Sequence, residues 1–113
     1  MNYYERHIGD YLKDTAHLSL LEHGVYTRLM DVYYTREGPL PSDVDATCRL
    51  VGARSPEERE AVVSILKEFF KPSPDGWIQP RCEAEIAAFR SKSSKASSSA
   101  NARWSKSSTH ANA

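Results

Sequence analysis

Residues 17–41, HLSLLEHGVYTRLMDVYYTREGPLP, limit the fold more than any other stretch of this chain. Ser19 followed by Glu22 three residues later is a capping box, in which each side chain satisfies the other residue's backbone N–H. It predicts a helix starting near Leu20. Leu18, Leu21, Val25, Leu29 and Val32 recur at intervals of three and four and form one stripe. At about 100° per residue, Tyr26, Met30 and Tyr33 widen that stripe past half the circumference. Only Gly24, Thr27, Arg28, Asp31 and Thr35 make a polar strip. A helix so apolar must be covered on two sides, so it is the spine of a small domain. Gly38-Pro39 and Pro41 end it.

A chain of 113 residues holds one domain and at most a tail. It has no apolar run of roughly 18 residues and no signal-peptide core behind its charged N-terminus, so no membrane partner and a cytoplasmic location are expected. Cys48 and Cys82 lack CxxC spacing, and reduced thiols are the plainer reading than a disulfide or a metal site. The net charge of zero hides a division. Residues 1–80 carry 9 Lys/Arg against 13 Asp/Glu, a net of −4. Residues 81–113 carry 6 against 2, a net of +4.

Ahead of the spine, Asn2 to Thr15 is rich in tyrosine and reads as an extended segment packed on the domain, with a turn at Gly9-Asp10 and either an extended or a short helical course over Tyr11–Asp14. Beyond the spine, Ser42 with Asp45 signals a second helix start. Val44, Cys48 and Val51 share a face that stops at Gly52. Ser55-Pro56-Glu57-Glu58 then combines a capping serine, a proline at the first helical position and a carboxylate at N3. Val62, Ile65, Leu66, Phe69 and Phe70 follow the helical interval without a miss. Helices are therefore expected over Ser19–Arg36, Ser42–Val51 and Pro56–Phe70, with Leu21, Val25, Leu29, Ile65, Leu66 and Phe69 buried together. KPSPDGWIQP, Lys71 to Pro80, carries three prolines and an Asp75-Gly76 turn signal, and reads as a β-hairpin.

The fold class that follows is mainly α with a small β-hairpin. It is winged-helix-like, in the order helix, helix-turn-helix, wing, with a C-terminal helix and a disordered tail. In that last helix, from Arg81, the inward positions are Cys82, Ile86 and Phe89. Nine of the 23 residues from 91 to 113 are serine, and Trp104 is their one large apolar residue. Such a segment cannot offset its ordering entropy by burial. The division is thus a domain at 1–90 and a basic tail at 91–113.

With Ile8–Tyr34 (IGDYLKDTAHLSLLEHGVYTRLMDVYY), Gly38–Pro41 (GPLP) and the later DGW and RCEAEI laid out, the chain resembles the YdaU-like domain of prophage proteins. That domain also stands at the N-terminus of proteins assigned to phage replication initiation. The resemblance covers roughly residues 3–90. It implies a winged-helix-like domain and a role in phage DNA replication, with no catalytic residues to carry over. Longer members continue into a further domain.

The residues themselves offer no catalytic machinery. Asp10, Asp14, His17, Glu22 and His23 form one polar cluster, but two histidines six apart do not share a helical face as metal ligands do. No phosphate loop, nucleophile elbow or nucleophile–base pair is present, so no enzyme, metal or cofactor is expected. Two functions remain. DNA binding is the one the fold class suggests. Yet the outward side of the third helix carries Glu57, Glu60, Ser64, Lys67, Glu68 and Lys71, three carboxylates against two lysines. Carboxylates facing a duplex oppose association, so base readout there is disfavoured and weak phosphate contact is expected instead. The candidate cations are Arg54, Arg59, Lys67 and Lys71 in the domain, and Arg90, Lys92, Lys95, Arg103 and Lys106 at the basic end. Trp104 lies among the latter as a stacking residue. The rival reading is an interaction module that docks a replication protein or forms a homodimer without touching DNA. Tyr33, Tyr34 and Trp77 are its candidate contacts, because aromatics are enriched in interfaces.

Overall fold

A computed structural model describes residues 1–93. Its first compact unit is Met1–Glu83, and a second begins at Ala84. Within the first unit lie α1 (Ile8–Thr15), α2 (Leu20–Arg36), α3 (Val44–Val51), α4 (Pro56–Phe69), β1 (Lys71–Ser73) and β2 (Gly76–Ile78). Residues 80–83 open a further helix that the second unit continues to residue 93.

Helix starts follow the capping chemistry. The Ser19 hydroxyl accepts from the Glu22 N–H at 3.2 Å, and the Glu22 carboxylate accepts from the Ser19 N–H at 2.9 Å. Ser55 and Glu58 repeat the arrangement at α4, with Pro56 in the first turn. Both boxes stand where the sequence puts them. At α3 the cap is Asp43, not Ser42, and its carboxylate accepts from the Asp45 N–H at 3.1 Å. The end of α2 also shifts by one. Glu37 takes the left-handed conformation at φ 56° and returns its N–H to Tyr33 O and Tyr34 O, ahead of Gly38.

α2 packs on α4, and α3 packs against both. Leu29, Tyr33, Cys48, Val62, Ile65 and Leu66 are completely buried where they meet. Each aliphatic side chain buried this way contributes roughly 1.5–3 kcal/mol. The spine thus buries the face of Val25, Leu29, Met30, Tyr33 and Tyr34. Leu21 is not part of it: the residue is 44% exposed, and Phe69 is half-buried.

The turn between α3 and α4 is closed by Gly52 at φ 78°, which lets the Ala53 N–H reach Cys48 O at 2.9 Å. After α4, β1 and β2 pair antiparallel in the register Lys71↔Ile78, Pro72↔Trp77 and Ser73↔Gly76. The two-residue loop is therefore Pro74-Asp75, and Gly76 belongs to the strand. Leu40, between α2 and α3, joins the hairpin as a third antiparallel partner. Its N–H donates to Trp77 O at 2.9 Å and its carbonyl accepts from the Trp77 N–H at 2.8 Å. Helix, strand contact, helix-turn-helix and hairpin occur in winged-helix order.

The segment ahead of α2 is less extended than expected. Ile8–Thr15 is a helix, with Gly9 and Asp10 in its first turn. Asp10 near the helix N-terminus and Lys13 near its C-terminus both suit the helix dipole. Tyr11 stacks obliquely on Tyr26, and its hydroxyl bonds His23 Nδ1 at 2.8 Å, so tertiary contacts fasten the short helix. Of the positions read as inward in the last helix, Cys82 and Ile86 are buried, whereas Phe89 is 43% exposed.

Candidate interaction surfaces: the helix-turn-helix face and an apolar groove

In a helix-turn-helix the second helix enters the DNA groove, so the outward side chains of α4 decide what it can read. Burial of Ala61, Val62, Ile65 and Leu66 turns Glu57, Glu60, Ser64, Lys67 and Glu68 to solvent, with Lys71 exposed just beyond. Glu68 pairs with His17, and Arg59 pairs with Asp45 of α3. The Arg59 guanidinium is thus held by a carboxylate of its own domain. Arg54 is exposed at the turn, where its backbone N–H donates to Glu58 Oε1 at 3.1 Å. The Ser55 N–H donates to the same oxygen at 2.9 Å. These backbone donors, Ser55 first and Arg54 next, hold the Glu58 carboxyl below its ordinary value.

Arg59 and Lys67 are eight residues apart along α4, about 12 Å of helix rise. Arg90 and Lys92 are exposed on the helical residues of the second unit. Lys95, Arg103, Lys106 and Trp104, with the expectation of a disordered tail, lie outside the described residues.

Tyr33 and Tyr34 are core residues and not surface contacts. Tyr33 is fully buried, donating its hydroxyl proton to Glu83 and accepting from the Gln79 N–H at 3.3 Å. Burial and the neighbouring Glu83 push its pKa up. Tyr34 is 3% exposed, covered by the Tyr4 ring stacked on it at 3.9 Å. Trp77 is half-buried in the hairpin. Tyr33 fills the wide apolar face that made α2 recognisable, and Tyr34 is buried beside it.

The polar cluster ahead of α2 is divided among separate tasks. Asp10 pairs with Arg81 at 3.2 Å, His17 with Glu68, Glu22 with the helix cap and His23 with Tyr11. Among the described residues, no three His, Cys, Asp or Glu side chains gather as a metal site would require. Cys48 and Cys82 are buried free thiols, and burial raises the Cys48 pKa. No described helix is long and apolar enough to cross a membrane.

One surface was not anticipated. A groove of about 470 Å³ opens between the first turns of α2 and the α3–α4 turn. Leu20, Leu21 and Val25 form one wall, and Val51 and Ala53 the other. Leu20 is 89% exposed and Leu21 44%; Leu50, beside Val51 in the last turn of α3, is also 44% exposed. Gly24 lies in the floor with nothing within 4 Å of where a Cβ would stand, and Arg28 and Glu58 lie at the edge. A trace of this was present in the sequence. At about 100° per residue Leu20 and Leu21 fall within roughly 60° of Gly24, at the head of the polar strip and away from the Leu29–Tyr33 face.

Residues 2–87 match the model of a family described as "Protein of unknown function (DUF1376)". This span contains all the segments on which the YdaU-like resemblance rests. The chain is 39% identical over 101 residues to "Uncharacterized protein YdaU" of Escherichia coli strain K12, covering 88% of this chain and 34% of that protein. It therefore spans about a third of that relative's length. No solved structure matches the chain.

Proposed function

The chain belongs to the DUF1376 family, and on that footing we propose that it is a non-enzymatic accessory of phage or prophage DNA replication. It works in the bacterial cytoplasm, docks a replication protein and touches DNA weakly, through phosphates. The replication assignment rests on the YdaU-like resemblance. The observation that carries the rest is the outward face of α4. Three carboxylates there face solvent beside two lysines, and Arg59 is tied to Asp45. A helix with that face gains little from a polyanion and has no arginine placed for bidentate contact with a base. The open apolar groove favours a second reading, an interaction or dimerisation module that never touches DNA.

Anisotropy titrations of the full chain with duplexes of unrelated sequence, each at two salt concentrations, test the proposal. The expected result is weak binding, equal for all sequences. Its logarithm should fall with log salt by about 0.9 for each phosphate contacted. Replacing Arg90, Lys92, Lys95, Arg103 and Lys106 together by alanine should abolish it, and replacing Lys67 and Lys71 should do less. A clear preference for one sequence that vanishes with Lys67 and Lys71 overturns the proposal. No binding even at low salt leaves the second reading in its place.

A further inference from the structure

We propose that the groove between α2 and the α3–α4 turn receives an acidic amphipathic helix from a partner protein. Leucine-type side chains of that helix enter between Leu21 and Val51, and its carboxylates meet Arg28 and Arg54. The proposal rests on the docking role above and specifies the chemistry of what docks.

The walls argue for an apolar occupant. Leu20 and Leu21 are large aliphatic residues left in water on the α2 wall, and such exposed apolar pairs mark contact sites. A depression of about 470 Å³ is large enough for anchoring side chains of a helix laid in a groove. Gly24 strengthens the case, because open space over a helical glycine lets a second backbone approach closely.

The rim argues for the sign of the charge. Arg28 borders the groove, while Arg49 and Arg54 stand exposed beside Leu50 and Ala53. None of the three is in an ion pair among the described residues. The nearby carboxylates are already engaged by backbone N–H groups, Glu22 by Ser19 and Glu58 by Arg54 and Ser55. An incoming carboxylate therefore meets three exposed arginines whose one acidic neighbour in the groove lining, Glu58 beside Arg54, is already held by backbone N–H groups, whereas an incoming lysine meets only occupied acids. The chain's own residues 81–113, with a net charge of +4, have the wrong sign for this rim. DNA would suit the arginines but leave the leucine wall uncovered.

The test uses a fluorescein-labelled peptide of about 18 residues, with leucine at i, i+3, i+4 and i+7 and glutamate elsewhere. A control peptide replaces each glutamate by lysine. The glutamate peptide should bind the full chain and shift the amide resonances of Leu21, Gly24, Val51 and Ala53; the lysine peptide should not. Arg28→Glu with Arg54→Glu should weaken binding at least about tenfold, equivalent to about 1.4 kcal/mol. Gly24→Gln should fill the floor and abolish binding while circular dichroism stays unchanged, since the position is helical and open. Equal binding of both peptides, no binding of either, or resonance shifts elsewhere would overturn the proposal. So would a self-association that Gly24→Gln removes, which would make the occupant a second copy. Loss of duplex binding in the arginine variant would make it a phosphate backbone. The duplex titrations of the parent chain read DNA contact and the peptide titrations read the groove, so failure of this proposal and failure of the DNA-binding part of the proposed function are read separately.

Discussion

Gly76→Ala should damage this domain more than its hairpin position suggests, and the cause is Leu40. A Cβ on Gly76 would stand 2.0 Å from the Leu40 carbonyl oxygen, 3.1 Å from its carbon and 3.3 Å from Pro39 Cβ. The clash is with backbone, so no rotamer relieves it; the strands must part by about an ångström. Parting them loses the two Leu40–Trp77 hydrogen bonds, worth roughly 0.5–1.5 kcal/mol each. Gly76 also sits at φ 130°, where a side chain adds roughly 1–3 kcal/mol of strain. Together these give roughly 2–6 kcal/mol, against about 5–15 kcal/mol for a whole domain. Urea unfolding with a slope of about 2 kcal/mol per molar should show the midpoint falling by about 1–3 M. Amide exchange at Leu40 and Trp77 should accelerate even if the helices survive. Gly24→Ala is the control: nothing lies within 4 Å, and a helical glycine replaced by alanine should stabilise by roughly 0.5–1 kcal/mol. A midpoint for Gly76→Ala within about 0.2 M of the parent would refute the reasoning.

Leu29→Ala should cost roughly 2–5 kcal/mol by the same urea assay, because the side chain is completely buried, whereas Leu20→Ala at 89% exposure should stay within about 0.5 kcal/mol. Tyr33→Phe should cost roughly 1–3 kcal/mol by leaving Glu83 and the Gln79 N–H without their partner. It should also reduce the loss of stability above about pH 10: a raised tyrosine pKa means that the unfolded chain ionises first and is favoured as pH rises. At the acid end the sign reverses. The folded-state pKa values of Glu22 and Glu58 are depressed, so their stabilisation is present above the ordinary carboxyl value of 4.5 and is lost as pH falls through the lowered one. Thermal melts of Glu58→Gln between about pH 3 and 6 should therefore be flatter than the parent's.

Local chemistry carried most of the fold into the sequence. A capping box states where a helix begins using only four consecutive residues, so Ser19–Glu22 and Ser55–Glu58 were legible without neighbours. The uninterrupted Val62–Ile65–Leu66 interval likewise marked the buried side of α4, and with it the exposed carboxylates. Where two local signals lay close together, the reading slipped by a residue. Asp43 caps α3 in place of Ser42, and Glu37 turns the chain ahead of Gly38, because either choice satisfies the orphan backbone groups and packing selects between them.

The errors of larger consequence all concern what a side chain meets from afar. Residues 8–15 place Ile8, Tyr11, Leu12 and Thr15 at helical intervals, but eight residues are too few to hold a helix alone, and partners on α2 and Arg81 fasten them. Leu21 belongs to the apolar stripe by interval, yet α4 and α3 cover the spine only from Val25 onward, so the first turn of α2 is left as a groove wall. Tyr33 and Tyr34 could not be assigned to core or surface from one sequence, since a tyrosine suits both until its hydroxyl finds a buried partner. Gly76 was visible as a turn glycine, but the reason nothing else fits is a carbonyl 36 residues earlier in the chain. Backbone hydrogen bonding and periodicity act over a few residues and are written locally. Burial depends on which surfaces arrive from elsewhere, and only the folded arrangement supplies them.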